Sequence, residues 1–142
     1  MTNLSPPLRL AKLWISLGWL GIIMVIVLSL IPPPEIKESS SLWLLPFNLP
    51  YSDKIAHLIA YFILMGWFCQ IYHTTYHRRL YLLSFSLLGI LLEILQGLGG
   101  VRSADWQDAV TNFIGIILAW QLAKTNFAYG LVYLETKYFL HH

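Results

Sequence analysis

The sequence predicts an all-α integral membrane protein, a four-transmembrane-helix bundle with short interfacial segments, forming a single domain over residues 1–142. Three observations lead there. First, 57% of the residues are hydrophobic and 11% are charged, with a mean hydropathy of +0.62. A chain of this length cannot cover a water-facing surface with so little charge. Second, residues 13–31, 55–72, 80–98 and 106–123 each approach the roughly 20 apolar residues that a bilayer core asks of a helix. Third, each of these stretches is bounded by helix breakers or charge.

The first stretch ends at Pro32, Pro33 and Pro34, which lack the amide proton and clash with the preceding turn, so a helix cannot run through them. Arg9 and Lys12 precede it as in a signal sequence, but the run is long and no small-x-small cleavage pattern follows; an uncleaved signal anchor is expected. The second and third stretches are separated by a short polar turn, His73 to Arg79, and so form an antiparallel hairpin. The third closes at Gly97, Gly99 and Gly100. Between the first two spans, residues 42–51 mix Trp43, Phe47 and Tyr51 with Pro46 and Pro50, a composition suited to the headgroup level. After the fourth, Phe127, Tyr129, Tyr133, Tyr138 and Phe139 form an aromatic tail expected against the inner leaflet. His141 and His142 carry no assigned role.

Positively charged flanks stay on the cytoplasmic side. With both termini inside, the cytoplasmic segments hold Arg9, Lys12, Arg78, Arg79, Lys124 and Lys137, against Lys37, Lys54 and Arg102 outside. The expected arrangement is multi-pass, with both termini cytoplasmic. The net charge of +2 is small and scattered, which excludes nucleic acid as a partner. The single cysteine, Cys69, cannot form an intrachain disulfide and lies in an apolar run, as an inert packed thiol does.

Polar residues recur at helical spacing within these apolar stretches. Asp53, His57 and Tyr61 are four apart on one face at the start of the second helix, with Lys54 beside them. Glu93 and Gln96 share a face on the third. Asp105, Asp108, Asn112 and Gly115 form a stripe on the fourth. The alternating topology sends all three stripes to the outer side, at one depth. A charge near the bilayer centre costs about 2.5–3.5 kcal/mol on insertion scales and therefore faces a cavity or a partner. Glu93, the deepest acid, needs a proton, a cation such as Lys54 or Arg102, or a bound metal.

Plainer roles exist for each residue taken singly. Asp53, and Asp105 or Asp108, suit helix N-caps; His57 suits a hydrogen-bonded packing residue and Tyr61 an interfacial aromatic. Gln96 and Asn112 suit interhelical hydrogen bonding and Gly115 close packing. They leave unexplained Glu93 and the common depth of the rest, which favours a site.

The pattern Asp53-Lys54-x-x-His57-x-x-x-Tyr61, then Glu93-x-x-Gln96, then Arg102-x-x-Asp105-x-x-Asp108-x-x-x-Asn112-x-x-Gly115 resembles the VanZ-like family of bacterial membrane proteins. The resemblance runs from the second helix to the fourth. It implies a cell-envelope membrane protein, located in the bacterial inner (cytoplasmic) membrane; the family is named for a protein associated with low-level resistance to the glycopeptide teicoplanin, and no resistance role is carried over to this chain.

The leading functional expectation is an outer-leaflet site that binds, or acts on, a lipid-linked envelope component such as a precursor headgroup or the lipid tail of a glycopeptide. Lys54, Arg102 and His57 would meet a phosphate. His57, Glu93, Asp105 and Asp108 are the candidate ligands for a divalent cation such as Mg2+, or a general acid and base. Ser52, Ser103 and Thr111 carry no nucleophile signature, so catalysis is left open. The alternative is a non-enzymatic scaffold or accessory subunit whose polar cluster stabilises helix packing. A channel ranks last, because Gln70 and Gln121 are too few to continue a polar path through the bilayer.

The expected orientation is directly testable. A cysteine placed at Ser39 should react with an impermeant thiol reagent on intact cells and one at Thr75 should not; the opposite pattern would put the polar cluster in the cytoplasm.

Overall fold

A computed structural model describes residues 8–31, 52–99 and 105–140. The proline stop, the 42–51 segment, Lys37, Gly100, Arg102, Ser103 and the terminal histidines lie outside the described residues. Those described form helices joined by short turns: α1 Ala11–Leu30, α2 Ser52–Ile71, α3 Thr75–Leu98, α4 Trp106–Leu122, a 3₁₀ turn Asn126–Tyr129 and α5 Gly130–Leu140.

Local chemistry sets the boundaries. Ile31 is extended (φ −83°, ψ 132°), the conformation imposed on a residue that precedes proline. α3 starts at Thr75, five residues before the expected Leu80, because Thr74 caps it by accepting from the His77 amide. The polar turn expected over His73 to Arg79 is therefore shorter, and Arg78 and Arg79 belong to the first turns of a helix. Asp105 caps α4, accepting from the Gln107 amide at 2.9 Å. Asp53 is not a cap: it is the second residue of α2, where its charge meets the positive end of the helix dipole. The aromatic tail is ordered as the 3₁₀ turn and α5.

Ala11–Leu30, Asp53–Ile71 and Thr75–Leu98 are long and apolar enough to cross a membrane. α4, at 17 residues, spans about 26 Å at the standard helical rise. Large apolar side chains such as Leu20, Met24, Leu28, Leu83 and Leu87 cover the outer faces, whereas Glu93, Gln96, Asp108, Asn112 and Glu135 are buried. Polar groups inside and apolar ones outside is the arrangement of a membrane protein.

The most extensive packing is between α2 and α4, which run parallel. A Cβ at Gly115 would run into the Leu58 carbonyl oxygen, so only glycine permits this approach. At their C-terminal ends the Arg78 guanidinium donates to Cys69 O and Tyr72 O from α2, both at 3.1 Å, and to Ala123 O from α4 at 2.9 Å. One side chain thereby satisfies the open carbonyls of two helices. The apolar core runs from Tyr61, Leu64, Met65 and Phe68 of α2 to Phe85 and Leu92 of α3 and Ile116 and Ala119 of α4.

α1 is fastened at both ends. Gln96 Nε2 donates to Ser29 O at 2.6 Å near its C-terminus. Trp67 Nε1 donates to Trp14 O at 2.9 Å. At its N-terminus the carboxylate of Glu135, on α5, accepts from Arg9 N (2.6 Å), Leu10 N (2.9 Å) and Trp14 Nε1 (2.7 Å). Glu135 is a helix cap delivered from 121–126 residues away.

Burial raises the Glu135 carboxyl's pKa, but those three N–H donors and the nearby Arg9 outweigh it and hold the group below its ordinary value of 4.5. A depressed folded-state pKa stabilises above the unfolded value and is lost as pH falls through the folded one. Glu135→Gln should therefore lower stability at neutral pH by about 1.5–3 kcal/mol, the worth of a hydrogen bond to a charged group. The difference from wild type, followed by thermal unfolding in detergent, should shrink below pH 4.5.

Candidate functional site

Because α2 and α4 run parallel and α3 antiparallel between them, the N-termini of the first two meet the C-terminal end of the third. Lys54 Nζ donates to Asp105 Oδ2 at 2.6 Å and to Asp108 Oδ1 at 2.9 Å. The Asp105 side chain is 38% exposed and the Asp108 side chain only 4%. The link to Asp108 is thus the one whose loss would leave a buried carboxylate without its counter-charge; the link to Asp105 is partly screened by solvent.

One turn further in, His57 Nδ1 lies 3.1 Å from Asn112 Oδ1 and Nε2 lies 3.9 Å from Asp108 Oδ2. With Asn112 accepting from Nδ1–H, the imidazole presents the Nε2 lone pair to the cluster. Glu93 arrives from α3, 6% exposed. One ligating atom each from His57, Glu93 and Asp108 lie within 4.8 Å of one another. Tyr61, 1% exposed, completes the inner wall, and its hydroxyl has no hydrogen-bond partner among the described residues.

Beside this cluster, between α1, α2 and α3, lies a cavity of about 270 Å³. Its lining mixes apolar side chains, Val25, Leu28, Ile31, Ala56 and Ala60, with polar ones, Ser29, Asp53, His57, Tyr61 and Gln96.

The VanZ/LLP1 family model matches residues 13–129. The chain belongs to the VanZ/LLP1 family. No curated protein and no solved structure matches it. In this VanZ-like chain the geometry gathers eight of the ten polar residues singled out by spacing into two adjoining groups. Lys54 bonds Asp105 and Asp108, the His57–Asn112 pair adjoins Asp108 at 3.9 Å and Glu93 lies against them, while Tyr61 and Gln96 extend to the cavity. Asp53 lines the cavity. Arg102 lies outside the described residues. Lys54 is committed to two carboxylates, so it is a counter-ion within the cluster, where the sequence reading had it meeting a phosphate.

Two contributions escaped the sequence reading. α1 supplies one wall of the cavity, although its sequence carries no motif; Ser29, a polar residue near the end of an apolar run, was the available signal. Gly89, one turn from Glu93 on the same face of α3, is the other. A Cβ there would lie 3.2 Å from Asn112 Nδ2 and 3.4 Å from the Tyr61 hydroxyl, so its small size makes room for both side chains.

The Lys54–Asp108 link gives a clear expectation. Lys54→Met should lower the unfolding temperature in detergent by several degrees, and adding Asp108→Asn should recover part of the loss, because the double variant no longer buries a lone carboxylate. Additive losses would show that the two side chains do not interact.

Proposed function

We propose that this chain is a four-span protein of the bacterial cytoplasmic membrane, one domain over residues 1–142 with both termini cytoplasmic. In this reading the polar cluster faces the outer leaflet and holds the headgroup of a lipid-linked envelope component. α4 is the fourth span, with α5 and the aromatic tail along the inner leaflet; the excess of Lys and Arg at the Arg78 end supports that orientation.

The observation that carries the reading is the mixed lining of the cavity. An amphiphile needs apolar surface for its chain and polar groups for its head within one volume, and Val25, Leu28 and Ala60 line the same cavity as Asp53, His57 and Gln96. The α1 face is where an acyl or prenyl chain would enter sideways from the bilayer. The lipid tail of a glycopeptide shares this chemistry. The scaffold reading has its own support, since Lys54–Asp108 and His57–Asn112 tie α2 to α4 and Gln96–Ser29 ties α3 to α1.

Two variants separate these readings. Ala60→Trp, which fills the cavity without touching the ion pairs, should reduce retention of a polyprenyl phosphate about tenfold or more in native mass spectrometry, given that aromatic bulk displaces ligand volume outright. Glu93→Gln keeps shape and hydrogen-bonding capacity and removes charge; it should abolish the envelope phenotype, scored as sensitivity to a lipoglycopeptide in a deletion strain, at near-normal protein abundance. Retained phenotype in Glu93→Gln together with unchanged lipid retention in Ala60→Trp would leave the scaffold.

A further inference from the structure

The polar cluster contains a feature that neither lipid binding nor helix packing requires. His57, Glu93 and Asp108 come from three different helices, yet each offers a ligating atom within 4.8 Å of the others. An ion at the centre of such a triangle sits roughly 2.8 Å from each corner, so the side chains need close by only about 0.7 Å to reach metal–ligand distances near 2.1 Å.

We propose that His57, Glu93 and Asp108 form a binding site for a first-row divalent cation of the zinc or manganese type, with coordination positions left open toward Tyr61.

Three further observations point the same way. The two Asp108 oxygens are divided: Oδ1 takes the Lys54 ammonium at 2.9 Å, and Oδ2 is turned to the His57 Nε2 side. His57 is held through its other nitrogen by Asn112 at 3.1 Å, the arrangement that fixes ring orientation and tautomer in metal-ligating histidines. Tyr61 is 1% exposed and its hydroxyl has no hydrogen-bond partner among the described residues. A Cβ at Gly89, one turn from Glu93, would lie 3.4 Å from that hydroxyl, so a polar group is available there to whatever fills the open positions.

An imidazole in the set selects against Mg2+ and Ca2+, which prefer oxygen alone, and suits Zn2+ or Mn2+. This replaces the Mg2+ expected from sequence and removes Asp105 from the ligand set, since its Oδ2 is taken by Lys54 and its Oδ1 by the Gln107 amide.

The inference goes beyond the lipid-binding reading and does not depend on it. Protein carrying His141→Ala and His142→Ala, so that tail imidazoles bind no metal, is stripped with chelator in detergent and titrated with Zn2+ alone by calorimetry and thermal unfolding. A single Zn2+ per chain is expected, with a rise in unfolding temperature. His57→Ala, Glu93→Gln and Asp108→Asn should each weaken binding strongly, and Asn112→Ala, which keeps every ligand, by about 10- to 100-fold.

Should a ligand variant fail to fold, the parent protein loaded with Mn2+ still decides: pulsed electron paramagnetic resonance should show coupling to one imidazole nitrogen, diminished in Asn112→Ala at equal metal. No stoichiometric Zn2+ or Mn2+ binding, no nitrogen coupling, or unchanged affinity in both His57→Ala and Asn112→Ala would overturn the assignment. No lipid is present in these measurements, so a negative result would leave the cavity reading standing.

Discussion

The close parallel contact of α2 and α4 at Gly115 governs the rest of the structure. Side chains normally hold helices 8–10 Å apart; here a missing Cβ lets one backbone approach the Leu58 carbonyl of the other. In an apolar solvent that approach has a particular value, because van der Waals contact and interhelical hydrogen bonds, not the hydrophobic effect, hold the helices together.

Parallel contact has an electrostatic consequence. Two helix N-termini side by side concentrate positive dipole at one end, and two C-termini concentrate negative dipole at the other. Each end carries the charge that offsets this. Asp53, Asp105 and Asp108 gather at the N-termini, and Arg78 joins the last carbonyls of both helices at the C-termini. The acids that make the site interesting are therefore partly a requirement of the helix arrangement. Lys54, His57 and Glu93 go beyond that requirement, and it is they that turn an acidic rim into a mixed cluster able to discriminate among ligands.

α1 is of another kind. It exposes most of its large side chains and is held to the remainder through Glu135, Trp67 and Gln96 at its two ends. Between those ends Gly18 lies against Phe68 and Trp67 and Gly21 against Leu64, Ile22 and Val25 join the apolar core, and Val25 and Leu28 line one side of the cavity. An apolar helix in that position gives the proposed lipid site its α1 wall.

The sequence by itself determined the helical segments, the hairpin between α2 and α3 and the common end of the three polar stripes. Those follow from local properties: apolar length, proline and glycine stops, helical periodicity and the parity of antiparallel connections. It also marked Glu93 as the residue least compatible with simple packing. It did not determine that Thr74 starts α3 early, that Asp53 lies inside a helix or that Lys54 is taken up by Asp105 and Asp108. Nor did it show that Arg78 caps two helices, or that Glu135 caps α1 from the far end of the chain. Each of these depends on which atoms meet across helices at a separation of a few ångströms, and helical spacing fixes only the face of a residue, leaving the rotation and depth of the helix that faces it to tertiary packing.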